Sequence, residues 1–277
     1  MGFLGIHASA AGGVYNAVEE GNALGCRSIQ IFTANQRTWK TKEPETEAVK
    51  RFIAARKEST IKYVCSHASY LINLASCDPE KLKKSRDAFF REMKRAAALK
   101  LDGIVFHPGS FTGGTREKGL KTAAESINKI LAKIRNFSSF LLIENTAGSG
   151  STIGRSFEEI EEMIKMVDEK SKVGVCFDTA HAFAAGYDIK NRYDEVFREF
   201  DGIIGLKYLK VFHINDSKTE KDSRSDRHEF LGKGKIGEKF FKRLFADKRF
   251  VNVPMILETP EPVEDYPRVL RFLPEAA

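Results

Sequence analysis

Eight short runs of aliphatic, β-branched and aromatic residues recur along the chain, at Phe3–His7, Ser28–Phe32, Lys62–Ser66, Gly103–His107, Phe140–Glu144, Val173–Asp178, Leu209–His213 and Pro254–Glu258. Runs of this length and composition suit strands in a buried sheet. Between them the period changes. Lys81–Leu99, Lys118–Ile134, Phe157–Val167 and Lys239–Phe245 place apolar side chains three or four residues apart, as amphipathic helices do. Strand followed by helix, eight times over, predicts a single (β/α)₈ TIM barrel. The 277 residues fit one such barrel, typically about 250 residues long. A doubly wound open sheet is the alternative, but fewer strands would serve it, and no G-x-G-x-x-G follows the first strand. No linker, low-complexity tract or shift in composition divides the chain, so one domain over 1–277 is expected. Two loops stand out as long and polar, Asn35–Glu45 after the second strand and Asn215–Lys235 after the seventh.

Composition narrows the picture modestly. No run of about 18 apolar residues appears, which argues against a membrane-spanning helix. The first residues carry no basic segment or cleavage site and read directly as a strand. Cys26, Cys65, Cys77 and Cys176 form no C-x-x-C pair and sit mostly in apolar runs, as reduced core thiols of a cytoplasmic protein would. A formal charge of +7 suits a polyanionic partner without specifying one.

The ionisable residues are more specific. His7, His107 and His213 each end a strand, and His67 follows one by a residue; Glu144, Asp178 and Glu258 end three more. In a (β/α)₈ barrel those C-terminal tips form one ring, so groups remote in sequence meet there. One strand-end histidine is ordinarily a hydrogen-bonded structural residue, and a lone Glu half of an ion pair. Seven ionisable tips are another matter, because packing has no use for them. Imidazoles with carboxylates form the ligand set of borderline divalent metals, Zn²⁺ foremost, with Mn²⁺ and Fe²⁺ also served.

Two local clusters extend the set. Asp178-Thr-Ala-His181 sets a carboxylate and an imidazole three apart, where a turn entering a helix presents both to one side. Asp226-Arg-His228 sets them two apart, so an extended segment aims both at one face. With His7 left out, His67, His107, Glu144, Asp178, His181, His213, Asp226, His228 and Glu258 make nine candidate ligands. Nine are too many for one metal; they suit three, or two with a bridging carboxylate and supporting groups.

These segments resemble the endonuclease IV family of zinc-dependent apurinic/apyrimidinic endonucleases. The resemblance is carried by Gly5-Ile-His-Ala-Ser-Ala-Ala-Gly-Gly13, Phe32-Thr-Ala-Asn-Gln-Arg-Thr-Trp39, His67-Ala-Ser-Tyr-Leu-Ile-Asn-Leu74, His107-Pro-Gly-Ser110 and Ile143-Glu-Asn-Thr-Ala-Gly148. It continues through Val175-Cys-Phe-Asp-Thr-Ala-His-Ala-Phe-Ala-Ala-Gly-Tyr-Asp188, His213-Ile-Asn-Asp-Ser-Lys218, Asp226-Arg-His-Glu229 and Ile256-Leu-Glu-Thr259. It implies three zinc ions and hydrolysis of the phosphodiester 5′ to an abasic site in duplex DNA, leaving a 3′-hydroxyl and a 5′-deoxyribose phosphate. It also implies a 3′-end-cleaning phosphodiesterase activity. Carried over by position, it gives His67, His107 and Glu144 to one zinc; Glu144, Asp178, His213 and Glu258 to a second; and His181, Asp226 and His228 to the third. A hydroxide formed at the metals is the implied nucleophile, since zinc lowers the pKa of bound water to about 7. Glu144 and Glu258 are the implied catalytic carboxylates, Glu258 orienting that nucleophile.

Recognition is expected from the loops. Asn35, Gln36 and Arg37 top the loop after the second strand, and Tyr70-Leu71 follows His67. The resemblance implies that Arg37, Tyr70 and Leu71 enter the base stack at the lesion, where wedge side chains unstack and bend the duplex. Without it, Tyr70 and Leu71 read as core and Arg37 as a surface charge. Lys218–Lys235 and Trp39-Lys40 are candidate phosphate contacts. Gly232-Lys-Gly-Lys-Ile-Gly237 lacks the P-loop spacing and its Ser/Thr, so no nucleotide cofactor is expected. The chain departs from the family pattern at Ala34, where Lys is common, and at Asp222, where Gly is common. Ala34 removes one expected phosphate contact, and Asp222 tolerates a left-handed backbone less well than Gly. A monomer is expected. The rival enzyme reading is a sugar isomerase or epimerase of the xylose-isomerase-like barrels, whose single-metal site needs about four ligands. The non-enzymatic rival is a DNA-binding protein with structural zinc.

Overall fold

The computed structural model describes residues 2–134 and 137–274. Eight parallel strands close into the expected barrel: β1 (Leu4–His7), β2 (Ser28–Ile31), β3 (Tyr63–His67), β4 (Gly103–Phe106), β5 (Phe140–Glu144), β6 (Val173–Asp178), β7 (Leu209–Ile214) and β10 (Met255–Leu257), in the order β1-β10-β7-β6-β5-β4-β3-β2. The helices are α1 (Val14–Ala23), α2 (Thr46–Glu58), α3 (Pro79–Ala98), α4 (Arg116–Leu131), α5 (Phe157–Lys165), α6 (Thr179–Ala185), α7 (Tyr193–Ile203), α8 (Glu238–Ala246) and α9 (Pro262–Val269). The four predicted helices lie within three residues of α3, α4, α5 and α8. Their starts are encoded locally. Asp78, before Pro79 at the first turn of α3, accepts from the amides of Glu80 and Lys81, and Ser156 caps α5 through the amide of Glu159. Among the described residues no helix is long and apolar enough to cross a membrane.

Alternation along the strands sorts side chains into layers inside the barrel. Cys65, Val105, Leu142, Cys176 and Val211 form a dry layer of their own, separate from the larger core between strands and helices. Two residues further along β3, β5, β6 and β7 come His67, Glu144, Asp178 and His213. The dry layer is therefore the floor on which the ionisable layer stands.

Strand β7 needs one device to take part. Val175 pairs with Leu209, but Cys176 pairs with Val211, so Lys210 is an extra residue in the ladder. Partners across a ladder face the same side of the sheet. Without the extra residue Phe212 would pair with Asp178, and His213 would face the helices. The bulge re-aims it, so that Asp178 pairs with His213 and both face inward. Behind them Phe177, Phe197, Phe200, Phe212 and Phe250 pack ring to ring at 4.8–6.0 Å and stiffen the wall.

The polar loop after β7 is better ordered than its composition suggests. It contains an antiparallel hairpin, β8 (Asp216–Ser217) with β9 (His228–Glu229), for which the sequence pattern carries no strand signal. Asp216 anchors the segment beyond the hairpin: its carboxylate accepts from the amides of Ser217, Gly232, Gly234, Ile236 and Gly237 at 2.8–3.1 Å. The glycine-rich stretch 232–237 thus wraps an internal carboxylate, using the amides that a phosphate loop would offer its ligand. A Cβ on Gly234 would collide with the Ser217 carbonyl oxygen, so the wrap requires glycine there.

Candidate metal centre

The nine side chains singled out by sequence converge at the C-terminal mouth of the barrel. Glu144, at the end of β5, is the hub. Its Oε2 lies 2.9 Å from His67 Nε2 and 3.1 Å from His107 Nε2, and its Oε1 lies 2.9 Å from His213 Nδ1 and 3.3 Å from His181 Nδ1. Glu258, just past β10, places Oε2 3.0 Å from His213 Nδ1. Asp178 ends β6 and also caps α6, its Oδ1 accepting from the His181 amide at 2.7 Å; this is the turn-into-helix geometry that the three-residue spacing implied. Asp226 and His228 arrive from the hairpin. Asp226 Oδ2 is 3.1 Å from His181 Nε2, and its Oδ1 is 3.2 Å from His228 Nε2.

Among the described residues, four sets of donor atoms lie within 4.8 Å of one another: His67, His107 and Glu144; Glu144, Asp178, His213 and Glu258; Asp178, His181 and His228; and Glu144, Cys176 and His213. The first two coincide with the expected ligand sets. The third gathers His181 and His228 around Asp178, with Asp226 closing on both imidazoles from the solvent side. The fourth is set apart by chemistry. Burial pushes the Cys176 thiol up to about 12, so it stays neutral and belongs to the dry layer.

Does this donor set fit metals? The ring nitrogens give the clearest answer. A nitrogen facing a carbonyl or amide oxygen must carry its hydrogen, which leaves the other nitrogen of a neutral ring as a ligand. His67 Nδ1 donates to the Ala68 carbonyl at 2.7 Å, His181 Nδ1 to that of Asn145 at 2.9 Å, and His228 Nδ1 to that of Glu258 at 3.1 Å. In each ring Nε2 is left for the cluster. His228 Nε2 is buried and, with Asp226 Oδ1 3.2 Å away, lacks a well-aligned hydrogen bond, as befits an atom reserved for a ligand.

The electrostatics agree. Burial by itself would raise the Glu144 pKa, but His213 and His107 beside it hold the carboxylate well below its usual range. Burial lowers the imidazoles in the same way, yet Asp178 and Asp226 carry His181 well above its ordinary value, and Asp226 and Asp178 push His228 up to about 9. Cations therefore belong among these carboxylates: protons on the imidazoles, or divalent metals in their place. The donor set fits a multi-metal site.

Several supporting residues are not evident from the sequence pattern. Gln30, fully buried on β2, lies between Glu258 and His213. His7 Nδ1 sits 3.0 Å from Glu258 Oε1, so the strand-end histidine left out of the ligand set supports a member of it. Asn215 donates to Asp178 Oδ2 at 2.7 Å and accepts from the Glu258 amide at 3.0 Å. Asn145 bonds the Asp178 backbone on both sides. Each lies within two residues of a strand end or on an inward position, which is the signal that could have found them.

The recognition candidates are spread over the rim. Tyr70 is 62% exposed, and with His107, His181 and Asp226 it lines a cavity of about 290 Å³ beside the cluster. Leu71 is half-buried. Arg37 and Asn35 are exposed, Asn35 Oδ1 accepting from the Arg37 amide at 2.8 Å; Gln36 is half-buried and donates to the Ala34 carbonyl. No side-chain hydrogen bond or ion pair holds the Arg37 guanidinium among the described residues. Trp39 is half-buried, with Lys84 over its ring at 4.4 Å and Arg91 donating to its carbonyl. The loop carrying Asn35, Gln36 and Arg37 is pinned at both ends by one buried ion pair. Glu92 accepts from Thr33, while Arg95 reaches Thr33 and Thr41 as well as Glu92.

Comparison with known proteins places this geometry. Residues 18–276 match the AP endonuclease 2 family model, described as a xylose isomerase-like TIM barrel. An apurinic-apyrimidinic endonuclease of Caenorhabditis elegans is 45% identical over 263 residues, covering 93% of this chain and 66% of that protein. A probable endonuclease 4 of Phocaeicola vulgatus is 46% identical over 261 residues and 93% of both chains. The crystal structure of endonuclease IV from Thermus thermophilus superposes with a TM-score of 0.86 at 38% identity, covering 97% of this chain and 96% of that one. The barrel alone would leave a sugar isomerase in play, but identity at this level over the whole length does not: the chain belongs to the endonuclease IV family of AP endonucleases.

Proposed function

We propose that this hydrolase cuts the phosphodiester 5′ to an abasic site in duplex DNA, leaving a 3′-hydroxyl and a 5′-deoxyribose phosphate, and that it also removes blocked 3′ ends. The reading takes three zinc ions per chain, with Mn²⁺ able to substitute, held by His67, His107, Glu144, Asp178, His181, His213, Asp226, His228 and Glu258. The convergence of those nine donors around Glu144 carries it.

Bound divalent metals supply a nucleophile at neutral pH and offset charge on the leaving oxygen. The chain does the rest. Glu144 presents both oxygens to different imidazoles, and so joins the two halves of the centre at one carboxylate. Glu258 holds one oxygen against His7 and turns the other inward, so its orientation is fixed before substrate arrives. Tyr70 and Leu71, with Arg37 and its neighbours Asn35 and Gln36, act as wedge and clamp at the lesion. A nucleotide that lacks its base costs least to extrude, which favours abasic sites over intact DNA. The +7 charge favours approach to the phosphate backbone.

The test is a duplex with one abasic site, incubated with protein as purified, after metal stripping, and after Zn²⁺ is restored. Cleavage 5′ to the lesion that vanishes with the metal and returns with three equivalents of zinc is the expected result. Product mapped 3′ to the lesion, or undiminished cutting after stripping, would overturn the mechanism. Saturation at one equivalent, with no cleavage, would favour an isomerase-like site.

A further inference from the structure

Three of the imidazoles, those of His67, His181 and His228, take their orientation from backbone carbonyls, at Ala68, Asn145 and Glu258. His213 is held differently. Its Nε2 lies 2.8 Å from the side-chain Oε1 of Gln30, a residue with no solvent exposure on β2, across the barrel from β7. The other end of the same amide, Nε2, lies 2.6 Å from Glu258 Oε1.

Hydrogen-bond chemistry allows one arrangement of these atoms. An ionised carboxylate accepts and never donates, so Glu258 must face the amide NH₂. That turns the amide oxygen toward His213, and the weak S–H donor of Cys65, 3.4 Å away, faces the same oxygen. An amide oxygen only accepts, so His213 Nε2 must carry hydrogen. The lone pair of the neutral ring then sits on Nδ1, the atom 2.9 Å from Glu144 Oε1 and 3.0 Å from Glu258 Oε2.

We propose that Gln30 is a positioning residue that locks His213 in the Nε2–H tautomer, aims its Nδ1 at a divalent metal, and keeps the free oxygen of Glu258 turned to that same metal. One amide thereby sets two ligands at once: the carboxylate orients the amide, and the amide orients the ring. His7, 3.0 Å from the Gln30-bound oxygen of Glu258, holds that oxygen from a second side. A backbone carbonyl cannot be removed by substitution, so His213 is the imidazole whose orienting group is open to direct test. The inference rests on the reading of the cluster as a divalent-metal site.

The experiment compares wild type, Gln30→Leu and Gln30→Glu, each stripped and then titrated with buffered Zn²⁺, with retained metal counted by elemental analysis. Co²⁺ replaces Zn²⁺ in a parallel series as a spectroscopic probe. Gln30→Leu should weaken one equivalent by about 10- to 100-fold and change the Co²⁺ absorption bands, since outer-sphere partners of ligating histidines carry effects of that size. Gln30→Glu keeps an acceptor facing His213 Nε2 but replaces the donor facing Glu258 Oε1 with a second carboxylate oxygen, so it too should lose affinity. In ¹⁵N spectra of its zinc-loaded form, His213 should stay bound through Nδ1; in Gln30→Leu that preference should be lost. Should Gln30→Leu fail to fold, as judged by its metal-free thermal transition, Gln30→Met takes its place. A wild type that retains no metal would sink the metal reading itself. Wild-type binding matched by Gln30→Leu, or Nδ1 coordination by His213 unchanged in that variant, would remove the positioning role and leave the metal reading standing.

Discussion

The two sides of the metal centre are built on different principles. His67, Glu144, Asp178 and His213 stand on strand ends, buried, above a dry layer, with a wall of phenylalanines behind β6 and β7. Asp226 and His228 come from a hairpin with strands of two residues, His228 on the second strand and Asp226 in the loop between them. The Asp226 side chain is 48% exposed, against none for Asp178. On the strand side, position is set by the register of a closed sheet, and one substitution changes chemistry more than geometry. On the hairpin side, position depends on a few polar contacts, Asp216 foremost, and can be lost without touching a ligand. The comparison teaches that a site of one chemistry can have two kinds of fragility.

The largest effect should come from the strand side. Glu144→Gln keeps shape and hydrogen-bonding reach but removes the charge that four imidazoles face. Turnover on an abasic duplex should fall on the order of 10³-fold or more, with the circular dichroism spectrum unchanged and binding to the lesion largely kept. Near-wild-type turnover would deny Glu144 its place at the hub.

Asp216→Ala probes the hairpin side without removing a ligand. Its loss strips the acceptor from five amides and should destabilise the protein by about 3 kcal/mol, read by chemical denaturation. One metal equivalent should weaken with it, while the equivalent held by His67, His107 and Glu144 should persist. Uniform weakening of all equivalents would erase the distinction between the two sides.

Acidity separates them further. The pKa of His228, against the pull of burial, is raised to about 9 by Asp226 and Asp178. An imidazole raised in this way stabilises the metal-free protein fully below about 6.5, its unfolded value, and the contribution is lost as pH climbs through about 9. Metal-free protein should therefore lose on the order of 3 kcal/mol across that window. Metal affinity should rise over the same interval, because binding must displace the proton. A metal-free thermal midpoint that rises between pH 6.5 and 9 would contradict the assigned ion pairs.

The same division explains what could be read from sequence. The eight strands and seven ionisable tips were legible because alternation and barrel closure convert a position near a strand end into a place in space. The residues that make those tips work were hidden. Gln30 sits inside Ser-Ile-Gln-Ile, where a polar residue looks like the solvent side of an alternating strand, yet it points into the barrel. Lys210 leaves no trace of the bulge, since a lysine in a strand is ordinary and only the pairing of Cys176 with Val211 exposes it. Asp226 and His228 sat in a loop where charged residues are usually solvated, and each strand of the hairpin that aims them is only two residues long. The packing of Trp39 was hidden as well, since its partners Lys84 and Arg91 lie on α3, remote in sequence.

The smallest effect tests the loop at Asp222, where the family resemblance leads to the expectation of glycine. Asp222 takes a left-handed backbone, φ 62°, and so does Arg224 at φ 57°. Their amides donate to the carbonyls of Phe183 and Ala184 at the end of α6, and the Asp222 carboxylate accepts from Arg224 Nε at 3.0 Å. The loop is thus tied to the helix that carries His181, and Asp222 combines backbone strain with a polar clasp. Asp222→Gly relieves the strain, worth about 1 kcal/mol at such a position, and also removes the clasp, an exposed contact worth less. The balance predicts a stability gain below about 1 kcal/mol, with metal content and turnover unchanged. If stability fell instead, the clasp would outweigh the strain. The hairpin side would then owe its geometry to this side chain as well as to Asp216.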